Sequence, residues 1–600
     1  MSQLLDLDAE LAAGTEHAKR EIRPRRDKPA AAELQRTLND ARRQASAPPP
    51  KAVAMLRRAL KIVEDNPVSA AKAARLCLDA VEMAPDSAMA NHALALCLER
   101  LGRLSKALQF YERAWKLDPT DPEIYMNLST LAWQMDMLDA AEKFLRIYLQ
   151  MVPNHTGATI NLAGVLRDKG GFEASIELLR AAIYASPENY ELWNSLGTTL
   201  LESGKPDEAL TFYDESRRLK PDYARAHHNT AFAYELLGRP DKATHHFREA
   251  LKTASNHKDI ITMTHGLSQS LLAMGELEEG WDLYDSRLDP THKNMCHVLV
   301  DAPMWDGRDL EAIRGKRLLW VGEQGLGDEI LFLQLAKDLL EAIGPDGELR
   351  IVVERRLVDM IQKTLPEAKV GSHRTMEREG KLFRALVGFE DLAPADFWTP
   401  FIQPARAFRH AIEDFPEEPI LKPEASDLAH WRGELAKTGP GLKVGILWKS
   451  LKMDAKRSKH FSAFDQWKPV LKTPGADFIN LQYGETATDI AYAKEKFGVD
   501  IHTVDGIDLK NDLEQVTALA ASCDLVIGPT NATTSLAGAA GARVWFVHPH
   551  ANVWTHMGFG RSPWFASSRS FFGKDYADWA GIMNTVAEAL DELARKEKAA

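Results

Sequence analysis

Prolines recur at a fixed interval along the first half of the chain: Pro85, Pro119, Pro153, Pro187 and Pro221 each follow the last by the same step. Glycines keep that step at Gly102, Gly170, Gly204 and Gly238, with Asp136 filling the one gap. Proline ends a helix because it has no N–H to donate and clashes with the preceding turn, and glycine reverses the chain because it accepts a left-handed backbone. Two further positions carry small residues. One holds Ala73, Ala107, Ala141, Ser175, Ala209 and Ala243, the other Ala95, Ser129, Ala163, Gly197 and Ala231. Small side chains at fixed places let two antiparallel helices approach closely. The pattern predicts a row of helical hairpins, each burying its apolar face against the next.

This is the tetratricopeptide-repeat (TPR) pattern, whose unit is about 34 residues long. Five units hold register from about residue 88 to 255; a degenerate unit precedes them, and one with a three-residue insertion follows (Gly275, Gly280, Tyr284). Stacked units form an α-helical superhelix whose first helices line a concave groove. Asn127, Asn161 and Asn229 share one groove position, and Ser195, beside Asn194, takes the remaining turn. An asparagine amide carries a donor and an acceptor, so it can grip an extended peptide backbone whatever its sequence. It can equally bond to a neighbouring repeat, and both readings stay open. Ahead of the repeats, residues 1–50 are charged and Ala-rich, with a basic cluster from Lys19 to Lys28, and read as a solvated, flexible arm.

From about residue 303 short apolar runs alternate with helical stretches. "RLLWV" (317–321), "LRIVVE" (349–354), "KVGILW" (443–448), "FINLQ" (478–482), "DLVIG" (524–528) and "VWFVH" (544–548) read as buried parallel strands, with helices such as 328–343, 355–364 and 513–522 between them. That is α/β. Pro-containing segment 414–423 and the "KTGPG" turn at 437–441 divide this region. The expected domains are repeats at 51–290 and two Rossmann-like domains at 300–438 and 439–600. Their ligands would bind in the cleft at the carboxyl ends of the strands.

A net charge of −12 without a domain-sized basic face argues against nucleic acid as a partner. Four scattered cysteines with no C-x-x-C suit a reducing compartment and exclude a thiol zinc cluster. The acidic start lacks the cationic segment of a signal peptide, and no run of eighteen apolar residues exists. The expectation is a cytoplasmic protein without a membrane span.

Three turns leave the carboxyl ends of predicted strands carrying polar residues. The first, "WVGEQGLGDEILF", spaces Gly322, Gly325 and Gly327 in the reverse order of the dinucleotide fingerprint and ends on Asp328. The second, "WKSLKMDAKRSKHFS", offers Lys449, Lys456, Arg457, Ser458, Lys459 and His460. The third puts Thr530, Asn531, Thr533 and Thr534 at the start of an Ala/Gly-rich helix, where backbone N–H groups and the helix dipole favour a phosphate. Such residues also serve as plain helix caps. His548, His550 and His556 lack a carboxylate at metal-ligand spacing and read as cleft wall.

"EQGLGDEILF", "KVGILW", Arg457–Ser458, "FINLQYG", "DLVIG…T…LAGAAGARVW" and "SPWF" together resemble bacterial TPR glycosyltransferases of the GT-B fold, relatives of the protein O-GlcNAc transferases and heptosyltransferases, over about residues 55–590. "GPTNAT" looks most like the flagellin-modifying branch, which attaches a nonulosonic acid such as pseudaminic acid to flagellin Ser/Thr from a CMP-activated donor. Thr530 and Ser535 stand where that family commonly has Asp and His, which puts a UDP-sugar binding mode in doubt. The resemblance implies Asp328 as catalytic base with Glu323 in reserve, although Asp328 can also be a plain cap of the following helix. It implies Gly325, Gly327, Lys449, Arg457, Ser458, Thr530, Asn531 and Thr533 around the nucleotide-sugar donor. Asn127, Asn161, Ser195 and Asn229 would hold flagellin, and no metal or other cofactor is expected. The alternatives are an O-GlcNAc-type transferase using a UDP-sugar, and a TPR scaffold whose transferase half is inactive.

Overall fold

The structure, a computed structural model, describes residues 49–65, 70–292, 295–378, 381–450 and 460–599. The expected arm, apart from its last two residues, and the Lys456–Lys459 stretch lie outside the described residues. The chain divides into two compact units, with the boundary between Leu131 and Ala132. The first contains helices Pro50–Asp65, Ala70–Met83, Ala88–Arg100 and Leu104–Leu117 and the start of Pro122–Gln134. Its core is small-residue-rich, with Ala52, Ala59, Ala73, Cys77 and Cys97 buried between helices.

The second unit continues the repeats. Its helices begin at Leu138, Thr156, Phe172, Tyr190, Pro206, Ala224 and Pro240, so each kind of helix restarts with the period of the prolines. The turn inside each hairpin needs a left-handed residue: Gly170, Gly204 and Gly238 have φ of 80°, 86° and 66°. Asp136 adopts 59° at the equivalent place, one of the few non-glycine types that tolerate it. The small positions are close-contact points as expected: Ala141, Ser175, Ala209 and Ala243 are fully buried, and a Cβ on Gly197 would lie 2.6 Å from the Tyr213 ring. The insertion lengthens the first helix of the last pair, His257–Met274, to 18 residues against 13 in its predecessors. Leu277–Tyr284 completes that pair.

The remainder is α/β, as the alternation predicts. The strands are β1 (Cys296–Leu299), β2 (Arg317–Val321), β3 (Glu348–Val353), β4 (Lys369–Arg378), β5 (Lys381–Val387), β6 (Phe397–Pro400), β7 (Leu442–Ile446), β8 (Ala476–Asn480), β9 (Ile501–His502), β10 (Leu525–Gly528), β11 (Val544–His548) and β12 (Ser568–Phe572). They form two six-stranded sheets, ordered β1-β5-β4-β3-β2-β6 and β12-β11-β10-β7-β8-β9. The second sheet is parallel throughout, and the first is parallel except where β4 pairs with β5. All six strands expected from apolar runs are present, β2 and β11 with the expected bounds. The other six strands carry no such run. The β4–β5 hairpin is largely exposed along its outer half.

The last repeat is built into this half. Leu272, Leu277, Trp281 and Tyr284 belong to the same apolar cluster as Trp320 of β2 and Ile330 of the helix after it, Leu447 just past β7 and Leu536 of helix Ala532–Ala539. Trp281 Nε1 donates to Arg409 O at 2.9 Å, and Asp285 accepts from Arg406 and Gln403 at 2.6 and 2.7 Å. A separate cluster fills the far face of the second sheet under helix Trp579–Ala599. Among the described residues, no helix is long and apolar enough to cross a membrane.

Candidate active site

β2 ends at Val321, and the chain turns through Gly322–Gly325 into helix Leu326–Phe332. The residue that shapes this turn is Glu329, 1% exposed beneath it. Its carboxylate accepts from Glu354 N at 2.7 Å and Arg384 Nη1 at 3.1 Å, and shares a 2.9 Å bond with His373 Nε2. A Cβ on Gly322 would fall 2.4 Å from Glu329 Oε1. Gly322 is therefore demanded by an acid beneath the turn. Arg384 also donates to the carbonyls of Gly322 and Gln324, fixing the turn from the β5 side.

Asp328 is the third residue of the helix and reaches back, its Oδ2 accepting from Gly325 N at 3.2 Å. It thus performs the cap that a carboxylate at this position can make. Burial pushes its carboxyl up to about 6; the bond from Gly325 opposes this, and the charges of Glu323 and Glu329 add to it. Glu323 is committed elsewhere: its Oε1 accepts from Arg287 Nη2 at 2.8 Å and Nε at 3.1 Å. Arg287, 6% exposed by its side chain, comes from the end of the last repeat and lies over the Tyr284 ring at 4.7 Å. Glu323, Gln324, Gly325 and Asp328 line a cavity of about 630 Å³ together with His265, Tyr284, Arg287 and His292 of the last repeat, Arg384 of β5, and Trp554 and Thr555 after β11. Burial drives the His265 imidazole down to about 3, and His292 is lowered for the same reason, so both are neutral here.

Gly327 lies outside that lining. It abuts the third turn, where a Cβ would stand 3.5 Å from Ala532 N, so the first and third turns meet back to back. In the third turn Asn531 and Thr534 cap each other: Thr534 N donates to Asn531 Oδ1 at 3.1 Å, and Asn531 N to Thr534 Oγ1 at 3.0 Å. Thr530 is exposed and Thr533 buried. Asn531 Nδ2 is buried without a hydrogen-bond partner. In the second turn Lys449 Nζ donates to Asp489 Oδ2 at 2.5 Å and Glu485 O at 2.8 Å. Arg457 and Ser458 fall outside the described residues. His548 is buried beside His556, ring centroids 4.9 Å apart.

Of the groove asparagines, Asn127 and Asn229 bond between repeats. Asn127 Nδ2 lies 2.7 Å from His92 Nε2. In the second unit, Asn229 Nδ2 donates to Asn194 Oδ1 at 3.0 Å and Thr198 Oγ1 at 3.2 Å. Asn161, Asn194, Ser195 and Asn229 line one pocket of about 340 Å³ with Trp133 and Arg225.

Arg287, Arg384, Glu329, His265 and His292 are absent from the sequence reading. Glu329 had a signal, a second carboxylate directly after Asp328 at the start of an apolar helix. Arg287 and Arg384 reach the turn from 36 and 62 residues away, and nothing local marks them.

Fold and site together define a class: a TPR array whose last member is welded to a two-sheet α/β half, with an acid-bearing cavity where they join. Tetratricopeptide-repeat family models match residues 69–122, 98–158, 189–256 and 224–313. Protein FlbA of Caulobacter vibrioides is 41% identical over 525 residues, 87% of this chain and 87% of that protein, and the chain belongs to the FlbA family. Tetratricopeptide repeat protein 21A of Mus musculus is 25% identical over 155 residues, 25% of this chain and 12% of that protein. Among solved structures, a thermophilic TPR protein of Thermus thermophilus matches at 23% identity and a TM-score of 0.27, over 30% of this chain and 99% of its own.

Proposed function

We propose that the chain is a protein O-glycosyltransferase of the GT-B type, transferring a nonulosonic acid from a CMP-activated donor to Ser/Thr of flagellin. Repeats at 51–290 capture the acceptor, 300–438 supplies the base and 439–600 holds the donor. The observation that carries this reading is the half-buried Asp328 carboxyl, raised to about 6, in a cavity walled by the last repeat and both sheets' loops. A carboxylate of that basicity is largely ionised at neutral pH and is a better proton acceptor than an ordinary aspartate. It takes the proton of the acceptor hydroxyl as the oxygen bonds to the anomeric carbon, and the bond to the nucleotide phosphate breaks. The amino-terminal end of helix Ala532–Ala539, with Arg457, Ser458 and Lys449, offsets the charge of the departing nucleotide. Lys449 would exchange Asp489 for the phosphate. Glu323, held by Arg287, serves as a fixed charge and leaves the base role to Asp328.

In the second unit Asn229, bonded to Asn194 and Thr198 of the preceding repeat, is oriented by it and presents its amide in a fixed attitude to an extended segment. The flagellin and CMP assignments rest on the resemblance of the Gly528–Thr533 turn to the flagellin-modifying branch. Intact-mass spectrometry of flagellin from cells with and without this protein tests them. Loss of an increment matching a nonulosonic acid is expected. An unchanged mass overturns the reading, and loss of a hexosamine increment moves it to the UDP-sugar alternative.

A further inference from the structure

The last repeat does more than end the array: it sends two side chains into the catalytic turn. Arg287 Nη2 and Nε converge on Glu323 Oε1 at 2.8 and 3.1 Å, and Gln324 Nε2 donates to Tyr284 Oη at 3.2 Å. Arg287 is itself fixed from three sides, by Tyr284 O at 3.2 Å, by Gln403 Oε1 at 3.2 Å and by the Tyr284 ring face. A buried guanidinium held this firmly is both a clamp and a counter-charge. We infer that Arg287 is a positioning residue for Asp328: by neutralising Glu323 it sets the charge against which the Asp328 carboxyl ionises. The inference rests on the reading of Asp328 as the base.

The charged surroundings of Asp328 support this. On its own turn and helix stand Glu323 and Glu329, both repelling its anion. Glu329 is already paired, with Arg384 from β5 and His373 from β4. From the last repeat come Arg287, Tyr284, His265 and His292, the phenol kept protonated and the histidines neutral mainly by burial. The helix it packs against, Ala532–Ala539, carries no charged residue. Arg287 is thus the group whose loss leaves one carboxylate, Glu323, uncompensated beside another.

The test is a ¹³C NMR titration of the full chain labelled at the aspartate carboxyl carbon, with the Asp328 resonance identified by its absence in Asp328→Asn. Arg287→Gln should raise the midpoint by about half a unit to one unit, and Glu323→Gln should lower it by a similar amount. The double variant should return near the parent, and Arg287→Lys, which keeps the charge, should stay close to it. If Arg287→Gln leaves the midpoint unmoved, or the double variant titrates like Arg287→Gln alone, Arg287 is merely a structural tie and the inference falls. Transfer to flagellin by Asp328→Asn is measured alongside. Parent-like transfer there removes the base reading without altering what the titration says of Arg287.

Discussion

The first and third turns touch at Gly327 and Ala532 and share a strand–turn–helix plan, yet they are held in opposite ways. The turn Gly322–Asp328 rests on ion pairs, Glu329 with Arg384 beneath it and Glu323 with Arg287 beside it, with His373 also bonded to Glu329. The turn Gly528–Thr534 rests on a neutral exchange between Asn531 and Thr534. A charged scaffold can tune how readily a nearby carboxyl gives up its proton. A neutral one leaves a helix dipole undiluted for whatever anion approaches. The proposed function gives the first turn the proton transfer and the second the phosphate.

That contrast can be broken at several points. Asp328→Asn should keep the cap to Gly325, since an amide oxygen also accepts, while transfer to flagellin falls by about 10²–10⁴-fold, the usual contribution of a positioned general base. Initial rates within about threefold of the parent would reduce Asp328 to a helix cap. Glu329→Ala leaves Arg384 buried without its counter-ion and should lower stability by roughly 3–5 kcal/mol in denaturant unfolding. A loss under about 1 kcal/mol would mean the ions beneath the turn are dispensable.

The next contrast lies in pH. The Asp328 carboxyl ionises near 6 in the fold against an ordinary value of 3.8. Between those values the folded chain keeps a proton that the unfolded chain has released, so stability declines as pH rises through that window. The decline should be on the order of 1–2 kcal/mol, given partial exposure, and be absent in Asp328→Asn. Melting curves at pH 4, 5, 6 and 7 for the pair of proteins read it directly, and parallel curves would show that burial does not raise this acid. The smallest effect belongs to the neutral turn: Asn531→Ala should cost about 1 kcal/mol, the common value of a helix cap, with no change in pH dependence. A loss as large as that of Glu329→Ala would erase the distinction between the two turns.

What could be read from sequence followed the range of the interactions that determine it. The helical hairpins were legible because their rules act within a single repeat. Even Asp136 kept its place in the glycine column, and its φ of 59° explains why. β2 and β11, buried on both faces, announce themselves as unbroken apolar runs. β4 and β5 do not, because residues such as Arg374, Glu377 and Arg378 face outward along an exposed hairpin. In the site, Asp328 and Glu323 were legible from the turn that carries them. The arginines around them were hidden, since Arg287 and Arg384 are ordinary surface-type residues until the fold brings one beside the turn and the other beneath it. The groove asparagines were recognised as a set, and the bonds of Asn127 to His92 and of Asn229 to Asn194 needed the side-chain geometry.

The strict phase of the repeats also makes array length a separable variable. Excising Thr156 through Asn189, one whole period of the pattern, would join His155 to Tyr190, putting one helix-capping residue where another stood and leaving every later turn in step. An excision of equal length covering His257 to Pro290 would take away Trp281, Tyr284 and Arg287, and with them part of the core and the counter-charge of the cavity. A unit ahead of the last hairpin can therefore be removed with the later turns kept in phase, whereas the final hairpin cannot be removed without dismantling the cavity it walls.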